Sequence, residues 1–356
     1  MKTLSEIEPR TPITNLPYTI TIPGSYYVTT NLTASTGITI STNDVTLDLG
    51  GFTLGPGFSG PAISVPNPQR NLAIRNGVLD GSGVRGTNAY NSLFEGLRES
   101  NSGGPGLLAG SNCVVSACSV SANYSVGIGV GNNCTVKDCT VSGTSGFGIQ
   151  ALNSCVVADC TSYGNSSDGV NVGVGTGVRS CASYQNGGNG VTTSSNCTVI
   201  ACTATGNNGA EGGIYVGTGC TVKDCTANGN NADSASGIYA SANCSVIGCT
   251  TSGNNGYECN GIEVVSYCTV KDCTASGNNG EYGDGIYIIG VQNRIDGNNV
   301  GNCIYGIYPH SMNVTNSITR NFAPGNAYYA YFNYAGNNDY APTGSVSTAT
   351  NPWTNF

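Results

Sequence analysis

The chain has little of what most protein chemistry relies on. Of its 356 residues 9% are charged, one is histidine, one is tryptophan and two are methionine. A typical globular protein is about 25% charged, so this surface must be covered by Ser, Thr, Asn and Gly. Lys and Arg number 12 against 20 Asp and Glu, a net charge of -8. Without a basic stripe, nucleic acid is not expected as a partner. No run approaches the roughly 18 apolar residues of a membrane span, so none is expected. Residues 1–15 also lack the apolar stretch of a signal peptide. Taken alone, that lack predicts a cytoplasmic protein. The low charge and the wealth of Asn, Thr, Ser and Tyr predict instead a secreted protein whose leader has been removed ahead of Met1.

What is present is glycine, cysteine and tyrosine, at 53, 17 and 20 residues, and the cysteines are periodic. Cys-Thr-Val-Lys-Asp-Cys occurs at 134–139, 220–225 and 268–273, with C-x4-C relatives at 113–118, 155–160, 197–202 and 244–249. The second cysteines (Cys118, Cys139, Cys160, Cys181, Cys202, Cys225, Cys249, Cys273) are spaced by 21 residues at first and by 23 to 24 later. The first cysteines are Cys113, Cys134, Cys155, Cys197, Cys220, Cys244 and Cys268. In phase with them runs Gly-(Ile/Val)-x-(Val/Ile/Ala), its apolar head at Ile128, Ile149, Val170, Val191, Ile214, Ile238, Ile262, Ile286 and Ile307. Period-2 alternation broken by glycine every six to eight residues reads as short strands and excludes helix.

A unit of this size that cannot bury its own faces stacks on its neighbours. The fold class expected is therefore all-β, a right-handed parallel β-helix of about thirteen coils with 21–24 residues per coil. At about 4.8 Å per coil it would be on the order of 60 Å long. Length alone would suggest two domains; the repeat argues for one. The boundaries expected are an N-terminal extension at 1–16, an N-terminal cap at 17–42, the β-helix at 43–321, and a C-terminal cap or tail at 322–356.

Three uses of the cysteines compete. Zinc binding lacks paired histidines and would crowd sites about 5 Å apart. Disulfides within a unit would have to span more than about 7 Å, and between coils their geometry is awkward. The favoured use is a pair of buried columns of reduced thiols acting as small hydrophobes. Asn298 and Asn321 stand in the second-cysteine slot, where Asn would hydrogen-bond the turn backbone. Cys259 and Cys303 fall outside both columns. Neither a metal nor any other cofactor is expected.

Several segments carry a family resemblance: 1–13 (Met-Lys-Thr-Leu-Ser-Glu-Ile onward), Pro23-Gly-Ser-Tyr-Tyr-Val28 with Asn31-Leu-Thr33, Val45-Thr-Leu-Asp-Leu-Gly-Gly-Phe-Thr-Leu54, and Ala349-Thr-Asn-Pro-Trp-Thr-Asn-Phe356. On these the chain resembles right-handed parallel β-helix repeat proteins of the pectate-lyase-like superfamily, in a secreted bacterial branch. The resemblance implies export and brings no established activity.

Many β-helices cleave polysaccharides, and the residues speak to that directly. The polygalacturonase set (Asn-Thr-Asp, Asp-Asp, Gly-His-Gly, Arg-Ile-Lys) is missing, and the single histidine, His310, reads as a surface residue. Asp138, Asp159, Asp224 and Asp272 repeat at one coil position, three of them after Lys137, Lys223 and Lys271. This column resembles the clustered acids of a calcium site or a hydrolase pair, but reads more simply as a solvated stripe. No catalytic residues are assigned, and a non-enzymatic role is favoured.

A binding role has more support. Tyr215, Tyr239, Glu263, Tyr287 and Tyr308 follow the apolar heads and point outward, a near-continuous tyrosine stripe. Such a stripe can stabilise a sheet, face another subunit or stack on sugar rings. Sequons at Asn31, Asn123, Asn133, Asn165, Asn196, Asn243 and Asn313 are expected on the surface if glycosylated at all. The leading expectation is a non-enzymatic secreted structural or adhesive protein that pairs with itself, as a surface layer or filament, through residues 1–16 and 336–356. The alternative is a carbohydrate-binding or polysaccharide-cleaving β-helix, with glycans as partners.

Overall fold

The structure is a computed structural model and describes residues 10–55, 57, 60–310, 315–331, 339–340 and 354–355. Every regular element among them is a strand. The chain divides into two compact units, residues 1–166 and 167–356, and the same turn builds both. In the first unit one turn runs through Thr135–Lys137, Thr140–Ser142 and Ile149–Ala151. In the second, one runs through Thr221–Lys223, Thr226–Asn228 and Ser236–Ala240. Successive turns pair in parallel with like residues in register: Val136 on Val157, Val222 on Val246, Ile238 on Ile262. These inward residues are fully buried. Each unit is therefore a stack of apolar rungs, which the period-2 pattern requires.

The corners have a common cause. Three residues in each turn adopt left-handed φ: Asn133, Asp138 and Gly143 in one, Gly219, Asp224 and Gly229 in another. Asn, Asp and Gly tolerate that region best. The repeated Asp138, Asp159, Asp224 and Asp272 are thus exposed corner residues. The pairs Lys223–Asp224 (3.8 Å) and Lys271–Asp272 (3.5 Å) add little at the surface.

The residue after each corner turns inward, making three columns instead of the two expected. In the first two columns the Cys113 N–H donates to Cys134 Sγ at 3.3 Å, and the Cys202 N–H to Cys225 Sγ at 3.4 Å. Thiols in turn donate to carbonyls, as Cys134 Sγ does to Gly110 at 3.1 Å. Asn298 accepts from the Cys273 N–H at 2.9 Å, and Asn321 from the Asn298 N–H at 2.9 Å. Thiol and amide therefore do the same work: each caps the corner N–H of the turn before. The third column is asparagine, with Asn207, Asn230, Asn254 and Asn278 linked by N–H to Oδ1 bonds of 2.9–3.1 Å. Gly237 passes so close over it that a Cβ there would lie 2.7 Å from Asn254 Nδ2, which is why glycine precedes the isoleucine.

Three expectations need correction. Cys303, set apart by spacing, occupies the asparagine column: its N–H donates to Asn326 Oδ1 at 3.0 Å and its thiol reaches Gly301 O at 3.4 Å. The count of about thirteen coils is low. Among the described residues the strands of this ladder number seven in the first unit and eight in the second, because Tyr18–Ile20, Ile38–Ile40 and Tyr329–Tyr331 also pair into it. Asn123 and Asn165 are not surface sequons. Both are buried in the third column, where Asn123 Oδ1 accepts from the Ser102 N–H and Asn165 Oδ1 from the Thr144 N–H. Asn31, Asn133, Asn196 and Asn243 are exposed, the last three at corners; Asn313 lies outside the described residues.

All 17 cysteines are buried free thiols. Burial raises the thiols of Cys259 and Cys303, which keeps them protonated and unreactive. A colorimetric thiol reagent is expected to leave the native protein essentially unlabelled and to titrate all 17 thiols in guanidinium. A denatured count near zero would mean disulfides and would end the thiol-column reading.

Ser162, Ser183 and Thr251 are fully buried polar residues at inward strand positions, and Glu99 puts a carboxyl at another. Glu99 sits in register between Leu79 and Val120, 3% exposed, with Oε2 accepting from Asn123 Nδ2 at 2.8 Å and Oε1 without a partner.

Candidate functional site

In the second unit the residues following the apolar heads form one in-register row: Tyr215, Tyr239, Glu263, Tyr287, Tyr308. All five are half-buried. Their spacing stacks the rings, Tyr215 on Tyr239 at 5.2 Å and 15°, Tyr287 on Tyr308 at 5.7 Å and 10°. Glu263 parts the row into two pairs. Around the second pair the turns lengthen. Asn165 to Val170 spans five residues, whereas Asn254 to Ile262 spans eight. The added residues fall between the asparagine column and the isoleucine strand, and they raise a wall carrying Glu258 and Tyr282 beside the sheet.

The result is a cleft of about 540 Å³. Its aromatic side is Tyr287, Tyr305, Tyr308 and His310. Tyr305 lies 5.3 Å from Tyr308 at 23° and also stacks on Tyr328 and Tyr329. The Tyr287 hydroxyl and His310 Nδ1 share a hydrogen bond of 2.8 Å. His310 is exposed, as expected, but belongs to this site. Its rings are nearly perpendicular to those of Tyr287 and Tyr308.

Beside the aromatics the lining is acidic. Glu263 accepts from Ser236 Oγ at 2.6 Å and Asn260 Nδ2 at 3.0 Å, and burial holds its carboxyl above the usual range. Asp284 lines the same cleft and is 3% exposed; its Oδ1 has no hydrogen-bond partner. Burial, then the nearby Glu263 charge, pushes Asp284 up to about 8, against a backbone hydrogen bond from Tyr305. Near neutral pH such an acid holds its proton and can donate a hydrogen bond. No lysine or arginine lines the cleft among its described residues.

Sequence reasoning overlooked Asp284 because it stands two residues before an apolar head, where other turns place Gly212, Ser236, Asn260 and Tyr305. Each reads locally as turn punctuation. Asp168 stands at the same position before Val170, so an acid there did not by itself mark a site. Tyr215 and Tyr239 lie away from the cleft, with Tyr215 beside a shallower polar depression that includes Thr192 and Ser241. Of the terminal segments expected to pair with a neighbour, 1–9 and nearly all of 336–356 lie outside the described residues. No helix among the described residues is long and apolar enough to cross a membrane.

Fold and turn together define a right-handed parallel β-helix. Residues 21–158 match the family model for a right handed beta helix region. No curated protein matches the sequence. Among solved structures, the A-module of mannuronan C-5 epimerase AlgE4 from Azotobacter vinelandii is similar, with a TM-score of 0.55 and 12% identity over 88% of this chain and 90% of that one. The corresponding AlgE6 module gives 0.54 and 14%, over 90% of this chain and 91% of that one. The N-terminal fragment of bacteriophage phi29 gene product 12 gives 0.61 and 13%, over 83% of this chain and 65% of that one. At these identities the likeness is one of fold.

Proposed function

We propose that the protein is a secreted saccharide-binding β-helix whose ligand lies across the cleft of Glu263, Asp284, Tyr287, Tyr305 and Tyr308. One observation carries this reading: stacked tyrosine rings line one cleft with two carboxyls, Glu263 half-buried and Asp284 buried. Sugar rings present an apolar C–H face suited to stacking and hydroxyls suited to acids and His310. Two of the structural neighbours are by name enzymes of a polysaccharide, which suits the reading without supplying the ligand. Export suits it as well, because the surface is poor in charge and rich in Asn, Ser and Thr. Self-assembly through the termini gains nothing from the cleft.

Affinity electrophoresis and calorimetry against soluble neutral, amino and uronic polysaccharides test the proposal. At least one class is expected to bind. Tyr308→Ala should weaken it at least tenfold, as expected for the loss of about 1.5 kcal/mol of stacking, while Tyr215→Ala leaves it within about twofold. Failure of every class to bind sinks the reading.

A further inference from the structure

The saccharide reading leaves open which sugar the cleft selects, and its charge narrows the choice. Glu258, Glu263 and Asp284 line it, and His310 is its only basic side chain among the described lining residues. An anionic sugar would bring a carboxylate beside three acids with no guanidinium or ammonium to hold it, so a uronate is disfavoured. A neutral sugar would leave the acids as they are. Asp284 is the exceptional member: it lines the cleft at 3% exposure, and its Oδ1 has no hydrogen-bond partner among the described residues. A buried polar atom without a partner is costly, and no lysine or arginine stands among the described residues lining the cleft to satisfy it. A cation arriving with the ligand would do so. The rings of Tyr287, Tyr305 and Tyr308 would add cation–π attraction from the same side.

Resting on the saccharide reading, we infer that the cleft selects an amino sugar, seating a primary ammonium group between Asp284, Glu263 and the tyrosine faces. The unpartnered Oδ1 of Asp284 accepts one N–H of that ammonium. The Glu263 carboxylate, held by Ser236 and Asn260, takes another. Acetylating the nitrogen removes the charge and leaves a single neutral N–H, so the two charge-assisted contacts are no longer made together.

The test is calorimetry at pH 7 with three hexasaccharides: β-1,4-linked glucosamine, the same chain fully N-acetylated, and an oligouronate. The glucosamine chain is expected to bind at least tenfold more tightly than the acetylated one, with the uronate weakest. Asp284→Asn, which relieves a buried acid and should fold, is expected to abolish that tenfold preference. Thermal unfolding of the variant confirms that it is folded. Equal or tighter binding of the acetylated or uronic chain overturns the ammonium site and leaves the saccharide reading standing. A preference that survives in Asp284→Asn also overturns it, because the bulk negative charge of the chain would then be the cause. No binding by any of the three, nor by the wider panel above, defeats the saccharide reading itself.

Discussion

Asn254→Ala is expected to lower the unfolding free energy of the second unit by about 4 kcal/mol, by removing four buried hydrogen bonds at once. Its Oδ1 accepts from the Asn230 N–H at 2.9 Å and from Asn230 Nδ2 at 3.1 Å. Its Nδ2 donates to Ala227 O at 3.0 Å and to Asn278 Oδ1 at 2.8 Å. Alanine strands the Asn230 N–H and the Ala227 carbonyl in a dry interior, at roughly 1–3 kcal/mol for each group, and leaves a small void besides. Asn255→Ala is the control. That neighbour is exposed and accepts a single bond, from the Asn279 N–H at 2.9 Å, so its loss should cost about 1 kcal/mol or less. Asn254→Cys should cost less than half as much as alanine, because Cys303 already fills a slot in the same column. Guanidinium unfolding followed by circular dichroism reads all three midpoints. Equal shifts for Asn254→Ala and Asn255→Ala would show that the column does not hold the turns together.

The second large effect is a pH dependence centred on Glu99. Burial, the main cause, lifts its carboxyl from 4.5 to about 7, with Asn123 pulling it down and the Asp80 charge adding to the rise. Below pH 4.5 the folded and unfolded chains both hold this proton, and Glu99 makes no pH-dependent difference. Between pH 4.5 and 7 the unfolded chain releases the proton while the folded one keeps it, so stability falls. Above about pH 7 the loss is complete, at about 3 kcal/mol for a change of this size. Glu99→Gln keeps an acceptor for Asn123 Nδ2 and cannot ionise. It should match the original chain at pH 4 and exceed it by about 3 kcal/mol at pH 8, in denaturant titrations at pH 4, 6 and 8. Asp284, which titrates in the second unit between 3.8 and about 8, contributes a similar slope that this variant leaves untouched. Parallel pH curves for the two proteins would show that Glu99 is hydrated in solution.

The repeat was legible because its causes are local. Val136 and Ile149 announce inward positions by alternation, and Asn133 and Asp138 announce corners by tolerating left-handed φ. Even the exchange of Cys273 for Asn298 in one slot could be read from spacing. The asparagine column was equally periodic, yet it escaped notice, since Gly-Asn reads as a loop wherever it occurs. Cys303 was consequently placed outside any column, and Asn123 and Asn165 were taken for surface residues. Their burial depends on a carbonyl or N–H one turn away, which no local pattern displays.

By itself, then, the sequence determined the turn: strand, corner and inward residue, each set by backbone preferences acting over a few neighbours. Only the tertiary structure decided what the turns make together. Tyr287, His310, Glu263 and Asp284 are up to 47 residues apart in the chain, and parallel register brings them to one cleft. The longer turns raise the wall carrying Glu258 and Tyr282 beside them. The physical reason is that stacking joins residues a full turn apart, so a site is assembled by the sum of turn lengths, while each turn is shaped by its own residues alone.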